Sequence, residues 1–527
     1  MPENKLNKIH VVDEIMGGGK TTAIFGYINR NQKKKFIFLT PKLDEIPRVK
    51  ISCPLLHFKE PNPDSHNKTE IFKSLLEKRE NIVTTHQLFF QQTEAISTLL
   101  RGYILIIDEA PNSLVEDYED KYHSDYPVIF KNYLRFDENN RAFWIYDPKP
   151  DEQDEKGYIG AFSKLKEDCD KGYVQCVESE GNKYIFKVFP ASILYGLDEI
   201  FLLTHLFELQ PAYAYFKSEG FSFDRYYVKE EDGKYSLTAV PQSEKHVDFF
   251  PKIKIYYDKG KKNGNIGSRK GSLSKTWYHS HKSSKMMHNA LRRFIDNTVI
   301  HSSDCIWTVY TEFMEKVSCG RYNTSFISCN AKATNTFADR HAVAYMINLY
   351  SRPILSVYYK SKGISVCDNG FGLTEMIQLI FRSAIRNGEK IYLYIPSKRM
   401  RELFLAWADF IAGRAKTIKG IDVDLFDWDS NPETFQNEII NVDTGLPVFF
   451  DDSVETNITE AQPVLQPRRI PHEGHCYQNS SKQRNISYEA LCAPSWKSEP
   501  HVNYETDMDG FLLGYDDVPE GIGYESM

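Results

Sequence analysis

The segment Glu14-Ile15-Met16-Gly17-Gly18-Gly19-Lys20-Thr21-Thr22 gathers the residue types that a bound phosphate needs. Successive glycines let backbone N–H groups converge on anionic oxygens, and a helix opening at Lys20 adds the partial positive charge of its N-terminus. Lys20 is spaced to reach β- and γ-phosphates, and the Thr21 hydroxyl to ligate Mg²⁺. Glu14 stands where the pattern G-x-x-x-x-G-K-[ST] has its first glycine, so by itself the segment also reads as a glycine-rich turn followed by a chance Lys-Thr. A second segment supplies what the first lacks. Ile104-Leu105-Ile106-Ile107 runs into Asp108-Glu109-Ala110. A carboxylate at the end of a buried strand, Asp108, can hold Mg²⁺ through water, and its neighbour Glu109 can polarise an attacking water. In this order and spacing the two segments imply hydrolysis of ATP with Mg²⁺.

Three further sets of residues bear on what the hydrolysis drives. Gln378, Arg382 and Arg386 fall at i, i+4 and i+8, which in a helix over Thr374–Arg386 places them on one face. Arginines so placed can reach a γ-phosphate bound elsewhere in the chain and stabilise the transition state; which of the two is the finger is open, with Arg386 favoured. A solvated basic face is the plain alternative, weighed against a separate apolar face of Leu379, Ile380 and Ile385. Thr204-His205 follows a strand-like run, where a nucleotide site can be coupled to a second domain. Thr40, Pro41 and Lys42, with Thr84, Thr85 and His86, end two other strands, and such ends can hold a sugar-phosphate backbone without reading sequence.

The elements that must position these groups are legible as apolar runs. Ile9–Val12, Phe36–Leu39, Ile82–Thr85, Tyr103–Ile107 and Ile200–Leu203 alternate with helix-like stretches such as Thr21–Asn29, the signature of a parallel sheet covered on both faces. The expected organisation is α/β: a first ATP-binding domain over residues 1–250 with an insertion at about 112–190, and a second over 301–420. In the second, strands are expected at Ser325–Cys329, Ile354–Tyr358 and Ile391–Ile395, and helices at Ala338–Leu349 and Thr374–Arg386. Residues 251–300 read as a basic linker. Twelve basic side chains between Lys252 and Arg293, interleaved with Tyr256, Tyr257, Trp277 and Tyr278, can guide a single strand by charge and stacking, or simply be a solvated connection.

These segments together resemble the superfamily 2 helicases, most closely the DEAD-like helicases of tailed bacteriophages. The likeness spans about residues 8–410 and is carried by Met16–Thr22, Leu39–Arg48, Asn81–Phe89, Leu203–Glu208, Phe326–Asn335, Glu375–Arg386 and Ile391–Leu403. It implies two RecA-like domains with ATP between them. It also implies that Asn330, Thr334 and Asn335 line both nucleotide and strand path, and that Thr204-His205 couples the two. The chain departs from the family pattern at Glu14, in Asp-Glu-Ala-Pro lacking a final His or Asp, and in having three residues between the arginines.

Charge separates the protein into two segments. Of the 527 residues, 65 are Lys or Arg and 72 Asp or Glu, a net of −7. Residues 421–527 hold 21 acidic and 5 basic side chains, a net of −16, which leaves 60 basic against 51 acidic in residues 1–420, a net of +9. The basic body carries every segment just described, and the acidic tail is expected to be irregular, either merely solubilising, which is the plainer reading, or recruiting replication or recombination proteins or competing with nucleic acid. The nine cysteines include no C-x-x-C pair, which suits reduced thiols in a cytoplasm (a host's, if phage-encoded). No apolar run reaches the ~20 residues of a membrane span, and the polar N-terminus is no secretory signal. The expected substrate is single-stranded or forked DNA, with RNA the alternative. A packaging-type motor with a C-terminal nuclease and a nucleotide-gated clamp are the competing readings.

Overall fold

The computed structural model describes residues 8–61, 67–118, 126–145, 161–242, 246–256, 266–269, 271–299, 301–329, 336–423 and 425, and two short pairs at 439–440 and 447–448. Asn330, Thr334 and Asn335 therefore fall outside the described residues, as does the expected tail apart from 421–423, 425 and those two pairs.

The first half is built on strands β1 (Lys8–Asp13), β2 (Lys35–Thr40), β3 (Ile82–Thr85) and β4 (Tyr103–Asp108). An insertion follows with β5 (Val115–Asp117), β6 (Leu134–Phe136), β7 (Ala142–Trp144), β8 (Val174–Ser179) and β9 (Asn182–Val188), after which come β10 (Glu199–Thr204), β11 (Ser222–Glu231) and β12 (Lys234–Thr238). The main sheet runs β12-β11-β1-β10-β4-β2-β3, parallel throughout except for the β11–β12 hairpin. Its strands are apolar on both faces because both are covered: Leu105 and Ile107 of β4 face one core, Ile104 and Ile106 the other. The insertion, which shows no period in sequence, forms its own small core around Leu134, Phe162, Leu165 and Ile185.

The second half is a four-stranded parallel sheet in the order β13-β16-β15-β14, from β13 (Ile253–Tyr256), β14 (Cys305–Thr308), β15 (Ala342–Tyr345) and β16 (Ile391–Tyr394). Of the residues read as a linker, 253–256 form strand β13 of this sheet, with Ile253 paired to Ile391, and the helix His281–Thr298 covers one face, while 257–265, 270 and 300 lie outside the described residues. Two of the aromatics interleaved there are structural: Tyr256 lies edge-on to Phe294 and Tyr394, and the buried Tyr278 hydroxyl donates to the Met346 carbonyl at 2.6 Å, whereas Tyr257 lies outside the described residues.

Three expected elements of this half change type. Ala338–Leu349, read as a helix, holds the central strand β15; Ile354–Tyr358, read as a strand, lies in the helix Pro353–Ser361. Ser325–Cys329 is no strand, only a single bridge from Phe326 to Trp307. Short apolar runs fit a buried strand and a buried helix equally, and here the flanks decide. Pro353 sits in the first turn of its helix, where its missing N–H costs nothing, whereas β15 is hydrogen-bonded on both sides. The helix expected to reach Arg386 stops at Ile380: the Ser383 hydroxyl donates to the Ile380 carbonyl at 2.7 Å, and a short 3₁₀ turn, Ala384–Asn387, ends at the left-handed Gly388.

The two halves trade core residues. Leu206 and Leu209, in the loop after β10, are buried in the second half's core beside Phe249, Met376 and Ile380. In return Tyr358 and Tyr359 of the helix Pro353–Ser361 are buried in the first half's core, where Tyr358 packs on Phe186 of the insertion. Among the described residues no helix is long and apolar enough to cross a membrane.

Candidate nucleotide site between the two halves

Strand β1 ends at Asp13, the chain turns through Glu14–Gly19, and the helix Lys20–Arg30 begins. Gly19 caps that helix in a left-handed conformation, φ 84°, and a Cβ there would lie 2.3 Å from the Tyr235 ring, so only glycine fits. No acidic side chain occupies the first turn, which leaves the positive end of the helix available to an anion. The Lys20 ammonium donates to the Glu14 and Ile15 carbonyls at 2.5 and 3.1 Å. Loss of surrounding water pulls its pKa down, against the opposing pull of Asp13, Glu14, Asp108 and Glu109.

The partner strand β4 delivers Asp108 beside Thr21, whose hydroxyl lies 3.4 Å from Asp108 Oδ1. Burial first, then the neighbouring Glu109 charge, raise Asp108 to about 7, and Arg48 and Lys20 oppose the rise. Glu109 adopts a left-handed backbone, φ 66°, pinned by its N–H to the Leu203 carbonyl at 3.0 Å. A non-glycine residue in that region carries strain of about 1–3 kcal/mol and persists where its surroundings over-determine it, often at functional sites. Glu109 Oε2 is buried and has no hydrogen-bond partner among the described residues.

From the second half, Gln378 at the end of the helix Asp368–Ile380, Arg382 in the turn and Arg386 in the 3₁₀ segment all reach the same cavity of about 290 Å³. It is also lined by Met16, Gly17, Gly19, Lys20, Thr21, Thr22, Asp108, Glu109, Thr204 and His205. Gly18 is absent from the wall because its N–H turns back to the Ile15 carbonyl at 3.0 Å. The two arginines differ. Arg382 is 6% exposed with Nη1 unpartnered. Burial lowers its pKa, with Glu109 and Glu375 countering. Arg386 is exposed. An anion-sized space bounded by a helix N-terminus, a lysine, a buried arginine and a hydroxyl–carboxylate pair is what a nucleoside triphosphate with Mg²⁺ requires, so these residues fit both groups.

The strand ends expected to hold a nucleic-acid backbone are adjacent, since Thr40 of β2 pairs with Thr85 of β3. Thr40, Thr84 and His86 are buried. The Thr40 hydroxyl is spent on the Lys42 carbonyl at 2.8 Å, and Thr85 Oγ1 caps a short helix by accepting from Leu88 N at 3.3 Å. Pro41 and His86 open instead on a second groove, of about 400 Å³, shared with Asn112, Glu116 and Lys187 of the insertion.

Several site residues carry no sequence signal. Glu45 and Arg48 line the cavity and pair with each other at 3.2 Å. Asp13 is 2% exposed and accepts from the backbone N–H groups of Leu206 and Phe207 at 2.9 and 2.7 Å. Burial works to raise Asp13, but His205, Arg225 and the Phe207 N–H outweigh it and hold the carboxyl below its usual value. Asn112 donates to Glu375 Oε1 across the halves at 2.7 Å, four residues beyond Asp108. Pro111, where a DEAD or DEAH box has its last acid or histidine, was the only hint that this loop is used differently.

Comparison with known proteins finds relatives of this chain at the level of sequence and of fold. Residues 248–408 match the family model described as the YonV C-terminal Rossmann-like domain. The SPbeta prophage-derived uncharacterized protein YonV of Bacillus subtilis (strain 168) is 33% identical over 420 residues, covering 77% of this chain and 99% of that protein. Among solved structures, Xpd4 of S. tokodaii aligns at 12% identity over 76% of this chain and 94% of its own, with a TM-score of 0.38. An apo XPD structure aligns at 12% identity over 74% and 92%, with a TM-score of 0.40.

Proposed function

The chain belongs to the family of the SPbeta prophage protein YonV, and on that footing we propose that it is an ATP-driven helicase or translocase acting on DNA, with RNA the alternative. The observation that carries the reading is convergence. The glycine loop with Lys20 and Thr21, the pair Asp108-Glu109, and Gln378, Arg382 and Arg386 come from two separately cored halves and meet in one cavity.

In this reading the loop N–H groups and Lys20 bind the phosphates, and Thr21 with Asp108 holds Mg²⁺. Bound there, the cation would neutralise charge on the phosphate oxygens. Glu109, with an unpartnered oxygen in the cavity, orients and polarises the attacking water. Arg382 stabilises charge in the transition state and Gln378 orients the phosphate. Thr204 and His205, at the end of β10, register the change for the second half. Both halves must close for all of these to act, so hydrolysis alternates closed and open cores, and a strand held across both advances one step per cycle. Lys42 and the groove beneath the insertion support a strand path on the first half, in the cytoplasm of a bacterial host.

The test is ATP hydrolysis across a panel of single-stranded, duplex and forked DNA and RNA, with Lys20→Ala as control. Stimulation by at least one nucleic acid, lost in Lys20→Ala, is expected. No hydrolysis with any of them sinks the motor reading, and hydrolysis without strand separation leaves translocase in place of helicase.

A further inference from the structure

Trp407 lies in the helix Lys398–Ile411 of the second half, fully buried. Its indole N–H donates to Nε2 of His205, on the first half, at 3.1 Å. An indole nitrogen is only ever a donor, so Nε2 carries no proton and a neutral His205 carries its proton on Nδ1. Nδ1 faces Asp13 Oδ1 at 3.6 Å. Asp13 in turn holds the Leu206 and Phe207 N–H groups. The indole bond and the two backbone bonds to Asp13 together tie the second half, the loop after β10 and the end of β1 to one another.

The other side of the indole meets the arginine turn. Trp407 stacks on Phe249 at 6.1 Å and lies edge-on to Phe381 at 5.8 Å, with Phe404 tilted at 5.6 Å. Phe381 lines the nucleotide cavity and immediately precedes Arg382. A phenylalanine would keep an aromatic ring against Phe381 and Phe404 but, being smaller, would pack less fully than the buried indole, and it could not donate to His205.

We propose that Trp407 is a positioning residue for ATP hydrolysis: its N–H fixes His205 while its ring seats Phe381, and the two contacts together hold Arg382 opposite the phosphate loop. The proposal rests on the ATPase reading above. It makes the bond the register between halves, so breaking it displaces Arg382 without removing any group that binds ATP. Glu375 and Asn112 tie the halves at a second point, so the register weakens without the halves parting.

Four full-length variants test it: Trp407→Phe, which keeps one aromatic ring and loses the N–H with the rest of the indole; His205→Ala, which leaves the indole in place; His205→Gln, whose amide oxygen still accepts the indole proton; and the double Trp407→Phe/His205→Ala. The measurements are kcat and KM for ATP with saturating nucleic acid, and hydrogen exchange at the Leu206 and Phe207 amides. Trp407→Phe and His205→Ala are each expected to lower kcat about tenfold, with KM within about twofold, as for a displaced but intact catalytic group. Exchange is expected to quicken about tenfold in both, and the double variant to be no worse than either single. His205→Gln recovers most of the His205→Ala loss. Unchanged kcat and exchange in Trp407→Phe overturns the proposal, as does a full additive loss in the double variant. If the unsubstituted chain hydrolyses no ATP, the ATPase reading falls and the positioning role with it. The exchange rates would still show whether the bond locks the loop.

Discussion

Replacing Arg382 with alanine separates the two arginines of the cavity. Arg382 is buried in the Phe381–Ser383 turn with one guanidinium nitrogen unpartnered, and the nearest carboxylate fields on it come from Glu109 and Glu375. Arg386 reaches the same cavity but is exposed. A cation in a water-excluded site acts at a low effective dielectric and can stabilise spreading phosphoryl charge strongly, whereas an exposed one at 4 Å is worth about 1 kcal/mol in bulk water. Arginine fingers contribute about 10³–10⁵ in rate. Taking the lower end, because Glu109 and Glu375 already neutralise part of the charge, gives about 10³-fold, or about 4 kcal/mol. Arg386→Ala is expected to lose less than about tenfold. The assay is steady-state phosphate release at saturating ATP and nucleic acid, with ATP affinity from calorimetry and thermal unfolding to verify folding. Arg382→Lys is expected not to rescue, since an ammonium lacks the planar fork that spans two phosphate oxygens. A larger loss in Arg386→Ala than in Arg382→Ala, or a loss in Arg382→Ala that appears only as weaker binding, would refute the assignment.

Other perturbations probe the remaining parts. Asp108 stands at about 7 in the fold against about 4 in an unfolded chain, so its contribution to stability is full below pH 4 and lost as pH rises through 7. Nucleotide-free Asp108→Asn is therefore expected to gain thermal stability over the parent at pH 8 but not at pH 5, and equal differences at the two values would count against the raised carboxyl. Mg²⁺ needs the ionised carboxylate, so its affinity is expected to fall below pH 7. Gly19→Ala combines φ 84° with a Cβ 2.3 Å from Tyr235; at least tenfold weaker ATP binding is expected, and Tyr235→Ala should relieve only the clash. Leu209 is buried in the second core against Gly370, whose added Cβ would lie 2.8 Å away. Leu209→Ala is expected to cost about 2–4 kcal/mol in denaturant unfolding, and a loss under 1 kcal/mol would mean the halves do not share a core.

The first half was legible because each of its strands is a continuous apolar run bounded by turn residues, and a strand buried on both faces leaves that pattern wherever it occurs. Lys20, Thr21, Asp108 and Glu109 could be named because phosphate binding constrains neighbours in the chain. The second half was less so. Ala342-Val-Ala-Tyr345 and Ile354-Leu-Ser-Val-Tyr358 are both short and apolar, and which becomes strand or helix depends on Pro353 and on neighbouring strands far away in sequence. The spacing of Gln378, Arg382 and Arg386 pointed to one cavity for an inexact reason. No single helix carries them, yet the turn after Ile380 brings them to the same wall. In the basic, aromatic-rich stretch after Lys252, composition does not reveal that Tyr256 and Tyr278 serve a core, because their partners lie far away in sequence.

The sequence by itself determined the candidate phosphate loop, the candidate carboxylate pair and the division into a basic body and an acidic tail, since all are written in adjacent residues or in simple counts. Only the tertiary structure decided which arginine is buried, that Leu209 and Tyr358 each cross into the other half's core, and that Asn112 meets Glu375 and Trp407 meets His205. Those last pairs lie 263 and 202 residues apart. Local periodicity reports which face of an element is buried but not what it is buried against, so contacts at that separation exist only once both sheets have formed.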